Sequence, residues 1–174
     1  MRAVHAIAVC LLATSTSCTD PLRDREIEAL GDEAPGVSPG PEHRPGQPCV
    51  LCHSDGGPAS SKPFAVGGTV YSSPTGFEGA RDVEVRFVDA ANGAPTVPVF
   101  TNAVGNFFVR ESEWPGLRYP FKVALFRNNT VAAQMATTVN REGSCNFCHR
   151  NPADFGDNAS EAARRYYGQI FVGN

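Results

Sequence analysis

The middle of the chain alternates between polar and apolar residues with a period of two. Residues 82–87 show the pattern most clearly, with Val83, Val85 and Phe87 separated by charged side chains. A period of two is typical of a strand with one buried face. Clusters of Pro, Gly and Asn mark turns between further stretches of this kind. The predicted strands are residues 82–87, Phe64–Tyr71, Val97–Thr101, Asn106–Arg110, Phe121–Arg127 and Val131–Val139.

Short strands at this spacing predict a mainly β fold, arranged as a sandwich rather than as a βαβ sheet. The two ends of the chain lack the pattern. Residues 19–45 are rich in Pro, Gly and charged residues, which predicts a disordered acidic tether. Within it, we expect Arg25–Leu30 to form a helical turn or two that ends at Gly31. At the other end, Asn158–Gln169 has helical spacing and predicts a short C-terminal helix.

Residues 1–18 have the composition of a signal peptide for export. Arg2 supplies a positive start, and the 11 residues Ala3–Ala13 are mostly apolar. That stretch is too short to span a membrane, which takes ~20 residues. A buried N-terminal helix is the alternative interpretation.

The end of this leader, Ser15-Thr16-Ser17-Cys18, resembles the lipobox of bacterial lipoproteins. The resemblance implies a lipid on Cys18, and through it a contact with a membrane. Lipoproteins usually carry Leu where Ser15 stands, so simple cleavage near Cys18 remains the alternative. Either route predicts an exported protein in the periplasm, in the outer membrane or at the cell surface.

Charge argues against one class of partner. The chain has 15 Lys and Arg against 18 Asp and Glu, a formal net charge of −3, and no run of basic residues. We therefore expect no nucleic-acid partner.

Four of the six cysteines form two identical motifs. Cys10 and Cys18 belong to the leader, and the others lie in Cys49-Val50-Leu51-Cys52-His53 and Cys145-Asn146-Phe147-Cys148-His149. Both are C-x-x-C-H patterns, in which two thiols add to the vinyl groups of a haem and the histidine binds its iron. The pair of motifs resembles the dihaem c-type cytochromes. The resemblance implies two covalently bound haem c groups.

Two other uses of the four thiols stay open. One is a zinc site with four cysteine ligands, which would leave His53 and His149 unexplained at the same offset in both motifs. The other is a disulfide or thioredoxin-like redox pair. A redox C-x-x-C usually begins a helix in a βαβ fold, which the strand pattern does not predict here.

Two haems have four axial positions, and His53 and His149 fill two of them. Outside the leader and the motifs, the remaining candidates are His43 and Met135. One chain can therefore give at most one haem two histidine ligands. His43 is either a distal ligand or a solvated linker residue. If it is a ligand, the sequence does not determine which of the two haems it binds. Met135 is either a ligand to the haem at Cys145 or a core residue of the last predicted strand.

The strand region also resembles the carboxypeptidase-regulatory or transthyretin-like module. The resemblance is carried by Gly68-Thr69-Val70-Tyr71, by residues 80–85 and by residues 101–107. It implies an immunoglobulin/transthyretin-like β-sandwich that acts as a scaffold. The predicted organisation after the tether is a first haem-binding segment at 46–62, the sandwich at 63–140, and a second haem-binding segment with the C-terminal helix at 141–174.

Taken together, the sequence predicts an exported dihaem c-type cytochrome that transfers electrons at the bacterial cell envelope. Its expected partners are other redox proteins or copies of itself, including a filament in which a neighbour supplies a missing axial ligand. One alternative is a haem enzyme, a peroxidase or small-molecule reductase with an open iron position. Another is a haem-based sensor.

Overall fold

The computed structural model describes residues 20–90, 98–115, 117–151 and 167–173. These residues form mostly strands, together with a few short helices. In chain order, the elements are α1 (Pro21–Ala29), α2 (Cys49–Cys52), β1 (Phe64–Tyr71), β2 (Glu84–Asp89), β3 (Val99–Phe100), β4 (Asn106–Arg110), β5 (Phe121–Arg127), β6 (Thr130–Gln134), α3 (Cys145–Cys148) and β7 (Ile170–Phe171). The predicted mainly β fold is confirmed.

The strands form two sheets. One has the order β4-β1-β7, in which β1 is antiparallel to β4 and parallel to β7. The other has the order β3-β2-β5-β6 and is antiparallel throughout. Side chains from both sheets meet in one apolar core, because alternate residues of each strand face inward. Phe87 lies in this core, with the rings of Phe107, Trp114 and Phe121 no more than 6.3 Å from its own.

Three strands have the predicted bounds, namely β1, β4 and β5. Strand β2 starts two residues late, since Asp82 has a φ of 58°, outside the extended region. Strand β6 ends at Gln134 instead of Val139, and its register against β5 shifts between Leu125 and Phe126. An extra residue at such a bulge reverses which side chains face inward. Val131 is accordingly 54% exposed, while Ala133 packs against the core.

The segment expected to be a tether before the first motif contains helix α1. The carboxylate of Asp20 accepts hydrogen bonds from the N–H groups of Leu22 and Arg23, and Pro21 opens α1. This combination of acidic cap and proline favours a helix start. The Arg23 guanidinium then donates to the carbonyls of Asp55 and Gly56, at 2.6 and 2.9 Å. Polar contacts of this kind order a segment that has little apolar surface to bury.

Residues 1–18, with the predicted signal peptide and Cys18, lie outside the described residues, as do residues 158–166 of the predicted C-terminal helix. The described residues 167–169 are not helical, and β7 follows them. Within the described ranges, no helix is long and apolar enough to cross a membrane.

Candidate functional site

The two C-x-x-C-H motifs adopt the same local structure. Each pair of cysteines spans one helical turn, α2 or α3, and the residue before it, Pro48 or Ser144, has an extended backbone. The N–H of each motif histidine donates to the carbonyl of the first cysteine, at 3.0 Å for His53 and 2.9 Å for His149. Each turn therefore brings two thiols and one imidazole together.

Both motifs pack on two adjacent glycines of β1. A Cβ on Gly67 would lie 3.0 Å from the Cβ of Cys49, and a Cβ on Gly68 would lie 2.8 Å from the Cβ of Cys145. Neighbouring residues of a strand point to opposite faces. The two motifs therefore contact β1 from its two sides, and only glycine leaves room for both.

A serine of the second motif segment also caps the helix of the first. The Ser144 hydroxyl accepts a hydrogen bond from the Val50 N–H at 2.8 Å. Val50 lies in the first turn of α2, where backbone N–H groups have no partner within the helix. The bond limits the distance between the Cα atoms of Cys49 and Cys145 to about 12 Å. The two motifs are neighbours in the fold.

The first motif opens onto a cavity of about 420 Å³, lined by Cys49, Cys52, His53 and His43 among others; we call it the first cavity. The His53 ring stacks on Phe64 at 3.9 Å, and His43 lies across from it with its ring centroid 5.8 Å away.

Within the first cavity, the Nδ1 atom of His53 lies 2.8 Å from the Lys62 carbonyl. A carbonyl only accepts, so the proton is on Nδ1 and the lone pair is on Nε2. Burial lowers the pKa of His53 and favours this neutral form.

The second motif opens onto a cavity of about 590 Å³, lined by Cys145, Cys148, His149 and Met135 among others; we call it the second cavity. The Nδ1 atom of His149 lies 3.0 Å from the Gly168 carbonyl, which selects the same tautomer as in His53. Burial also lowers the pKa of His149. Each cavity thus holds two thiols, one imidazole with a free Nε2 lone pair, and one further donor.

The thiols are suited to a neutral, covalent role. Burial raises the pKa of Cys49 and that of Cys145 from 9.0 to about 12, so both are uncharged near neutrality. Reactive redox cysteines are thiolates near neutral pH, whereas a bound metal ion deprotonates its own thiol ligands. The four thiols are unpaired and divided between the two cavities, and among the described residues no three potential ligands gather around one metal position. These features weigh against the zinc and redox alternatives.

Eight of the nine site residues predicted from the sequence fall into two sets of four, one in each cavity, and Cys18 lies outside the described residues. Sequence reasoning missed the supporting residues. Gly67-Gly68 did carry a signal, because adjacent glycines inside a strand indicate a close approach of other backbone. Ser144 carried none, since its partner Val50 is distant along the chain.

The glycine pair can be tested by adding one methyl group. Gly68→Ala places a Cβ 2.8 Å from the Cβ of Cys145 and 2.9 Å from the Phe107 ring. Overpacking of this kind lowers the free energy of unfolding by about 1–3 kcal/mol. Gly173→Ala is the control, because a Cβ there has no neighbour within 4 Å. Urea unfolding of both variants gives the comparison, and equal stability would show that β1 tolerates a side chain there.

The buried thiols predict a dependence of stability on alkaline pH when the chain carries no cofactor. Cys49 and Cys145 have pKa values of about 12 when folded, against 9.0 ordinarily. Their contribution to stability is therefore complete below pH 9 and is lost as the pH rises towards 12. The loss is about 1.4 kcal/mol per pH unit for each thiol. The Cys49→Ser/Cys145→Ser variant lacks this dependence, and parallel curves for the two proteins would contradict the prediction.

Known proteins give no direct guidance to these cavities. Comparison of the chain with protein-family models finds no match, and neither do comparisons with curated proteins and with solved structures. What the cavities do must therefore be argued from the side chains that line them.

Proposed function

We propose that the chain is a dihaem c-type cytochrome that carries electrons, with one haem c on Cys49 and Cys52 and another on Cys145 and Cys148. One observation supports this most strongly. In each cavity, a carbonyl orients the motif histidine so that Nε2 is free, and a second donor lines the same cavity: His43 in the first and Met135 in the second. Paired axial donors are what a six-coordinate iron requires.

The dimensions of both cavities fit the group. Imidazole–metal bonds are about 2 Å long, so two histidines on opposite sides of one metal have their bonding nitrogens about 4 Å apart. The 5.8 Å between the ring centroids of His43 and His53 is compatible with that spacing. The cavity volumes of about 420 and 590 Å³ fall within the range of cofactor pockets, roughly 300–1,000 Å³. When bound, haem supplies reversible one-electron chemistry.

The chain orients the proposed iron ligands and adjusts the reduction potential of each site. Hydrogen bonds from Nδ1 of His53 and His149 to carbonyls fix the ring planes and strengthen Nε2 as a donor. A thioether carries no charge, which suits the buried sulfurs of Cys49 and Cys145. Methionine raises the reduction potential relative to histidine. If His43 and Met135 are the ligands, the second site would have the higher potential, and electron transfer would be favoured from the first site to the second.

The neighbouring positions of the motifs favour a compact two-centre relay over haems held at opposite ends of the scaffold. The hydrogen bond from Val50 to Ser144 and the shared contact with β1 support this arrangement. We further propose that the two sheets form the immunoglobulin/transthyretin-like sandwich suggested by the sequence. Export, a lipid on Cys18 and redox partners at the cell envelope belong to the same proposal and are supported by sequence alone.

The direct test is the mass of the matured protein, produced in a host that attaches haem c. We expect the mass of two haems, and a lipid on Cys18 would appear in the same spectrum. Cys49→Ala/Cys52→Ala and Cys145→Ala/Cys148→Ala should each retain one haem. A colourless protein, or a mass without added cofactor, would refute the proposal.

The ligand at the second site is tested by Met135→Ala. Removal of the thioether should leave one iron five-coordinate, so that the reduced variant binds carbon monoxide rapidly at one haem, while the parent protein binds it only as slowly as a distal ligand leaves. Gln134→Ala, at the exposed neighbouring position, is the control. Unchanged optical and magnetic spectra would exclude Met135 as a ligand. Equally rapid carbon monoxide binding in the parent protein would indicate an open iron position and would instead favour a haem enzyme or sensor.

A further inference from the structure

A buried amide joins the His43 segment to the sheet. Asn106 begins β4 and is 6% exposed. Its side-chain Nδ2 donates to the His43 carbonyl at 2.9 Å and to the Pro41 carbonyl at 3.2 Å. Both partners are acceptors, so the orientation of the amide is determined. These bonds therefore hold the main chain at His43 and do not involve its imidazole ring.

The oxygen of the same amide, Oδ1, makes a further hydrogen bond. Thr69, fully buried in β1 and paired with Asn106 across the strands, donates its hydroxyl to the Asn106 Oδ1 at 2.8 Å. The same hydroxyl accepts from the Gly46 N–H at 2.8 Å. Gly46 has a φ of 82°, which turns the chain back towards the first motif. Residues 41 and 46, on either side of His43, are thus both tied to the strand pair.

We propose that Asn106 and Thr69 are positioning residues that hold His43 over the first cavity and so control its occupancy as an axial ligand. The inference rests on the proposed function, since it concerns the ligand of the first haem. The segment from Pro41 to Gly46 is rich in Pro and Gly and has no regular structure of its own. The strand pair β1–β4 is the rigid support, and the Asn106 amide and the Thr69 hydroxyl connect the segment to it.

Loss of these hydrogen bonds changes the equilibrium between a docked and an undocked state of residues 41–46. A buried group that loses its hydrogen-bond partner costs free energy. Loss of the Asn106 donors leaves the His43 carbonyl without a partner in the docked state only, whereas the Pro41 carbonyl keeps a bond from the Asn102 Nδ2 at 2.7 Å. The undocked segment can turn its carbonyls to water. His43 should therefore leave the iron more often, while the motif histidine, His53, stays in place.

The test uses the holoprotein and three variants. Asn106→Asp keeps the acceptor but removes both donors, and Thr69→Val removes the hydroxyl at nearly constant shape. Thr69→Ser restores the hydroxyl and should rescue the parent behaviour. Thr101→Val is the matched control, because its hydroxyl also makes two buried hydrogen bonds, to Val83 and Ala80, away from both cavities.

The readout is the rate at which carbon monoxide binds the reduced first haem, which is limited by departure of the distal ligand. His43→Ala, in which that position is permanently open, identifies the signal of the first haem. We expect an increase of about tenfold in Asn106→Asp and Thr69→Val, and none in Thr69→Ser or Thr101→Val. Hydrogen exchange at the Gly46 amide should rise in parallel in Thr69→Val.

The outcomes separate the two proposals. If His43→Ala opens the first haem but Asn106→Asp and Thr69→Val bind carbon monoxide at the parent rate, the positioning role is refuted and the proposed function stands. If Thr101→Val matches Thr69→Val, the effect is general destabilisation and the positioning role is again refuted. If His43→Ala leaves the first haem unchanged, His43 is not its ligand, and that part of the proposed function fails together with this inference.

Discussion

The contact of both motifs with two adjacent glycines is the constraint on which the rest of the structure depends. Gly67 and Gly68 allow Cys49 and Cys145 to approach the backbone of β1 from opposite faces. A strand is stiff and its residues alternate in direction, so it fixes both the separation and the relative orientation of what packs on it. The two cavities inherit their arrangement from this strand and not from the loops that line them.

A second principle is shared by both cavities: each motif histidine is held by a main-chain carbonyl outside its own motif. The Lys62 carbonyl holds His53, and the Gly168 carbonyl holds His149. A main-chain acceptor cannot change its protonation state, so the tautomer is set by geometry. The further donors differ in kind, imidazole in one cavity and thioether in the other. The same local fold is thereby placed in two different electronic environments.

Patterns among neighbouring residues predicted the features that depend on neighbouring residues alone. The bounds of β1, β4 and β5 follow from residue alternation and turn residues, and the motif spacing identified six of the site residues directly. Counting the remaining donors added His43 and Met135. What local patterns missed depends on distant contacts. Three of these features join positions far apart: the docking of α1 through Arg23, the cap that Ser144 gives Val50, and the Asn106 amide. The bulge in β6 shifts a register.

The distribution of these distant contacts has a consequence for the order of assembly. During synthesis, the first motif is made long before the residues that complete its surroundings. Asn106, Ser144 and Gly168 arrive later, and the second cavity also needs Gln169, whose amide donates to the carbonyls of Ser73 and Gly76 at 2.6 and 2.8 Å. Neither cavity closes around a half-made polypeptide. Any machinery that modifies the thiols during synthesis therefore meets an open chain, in which the first motif is accessible before the second has been made.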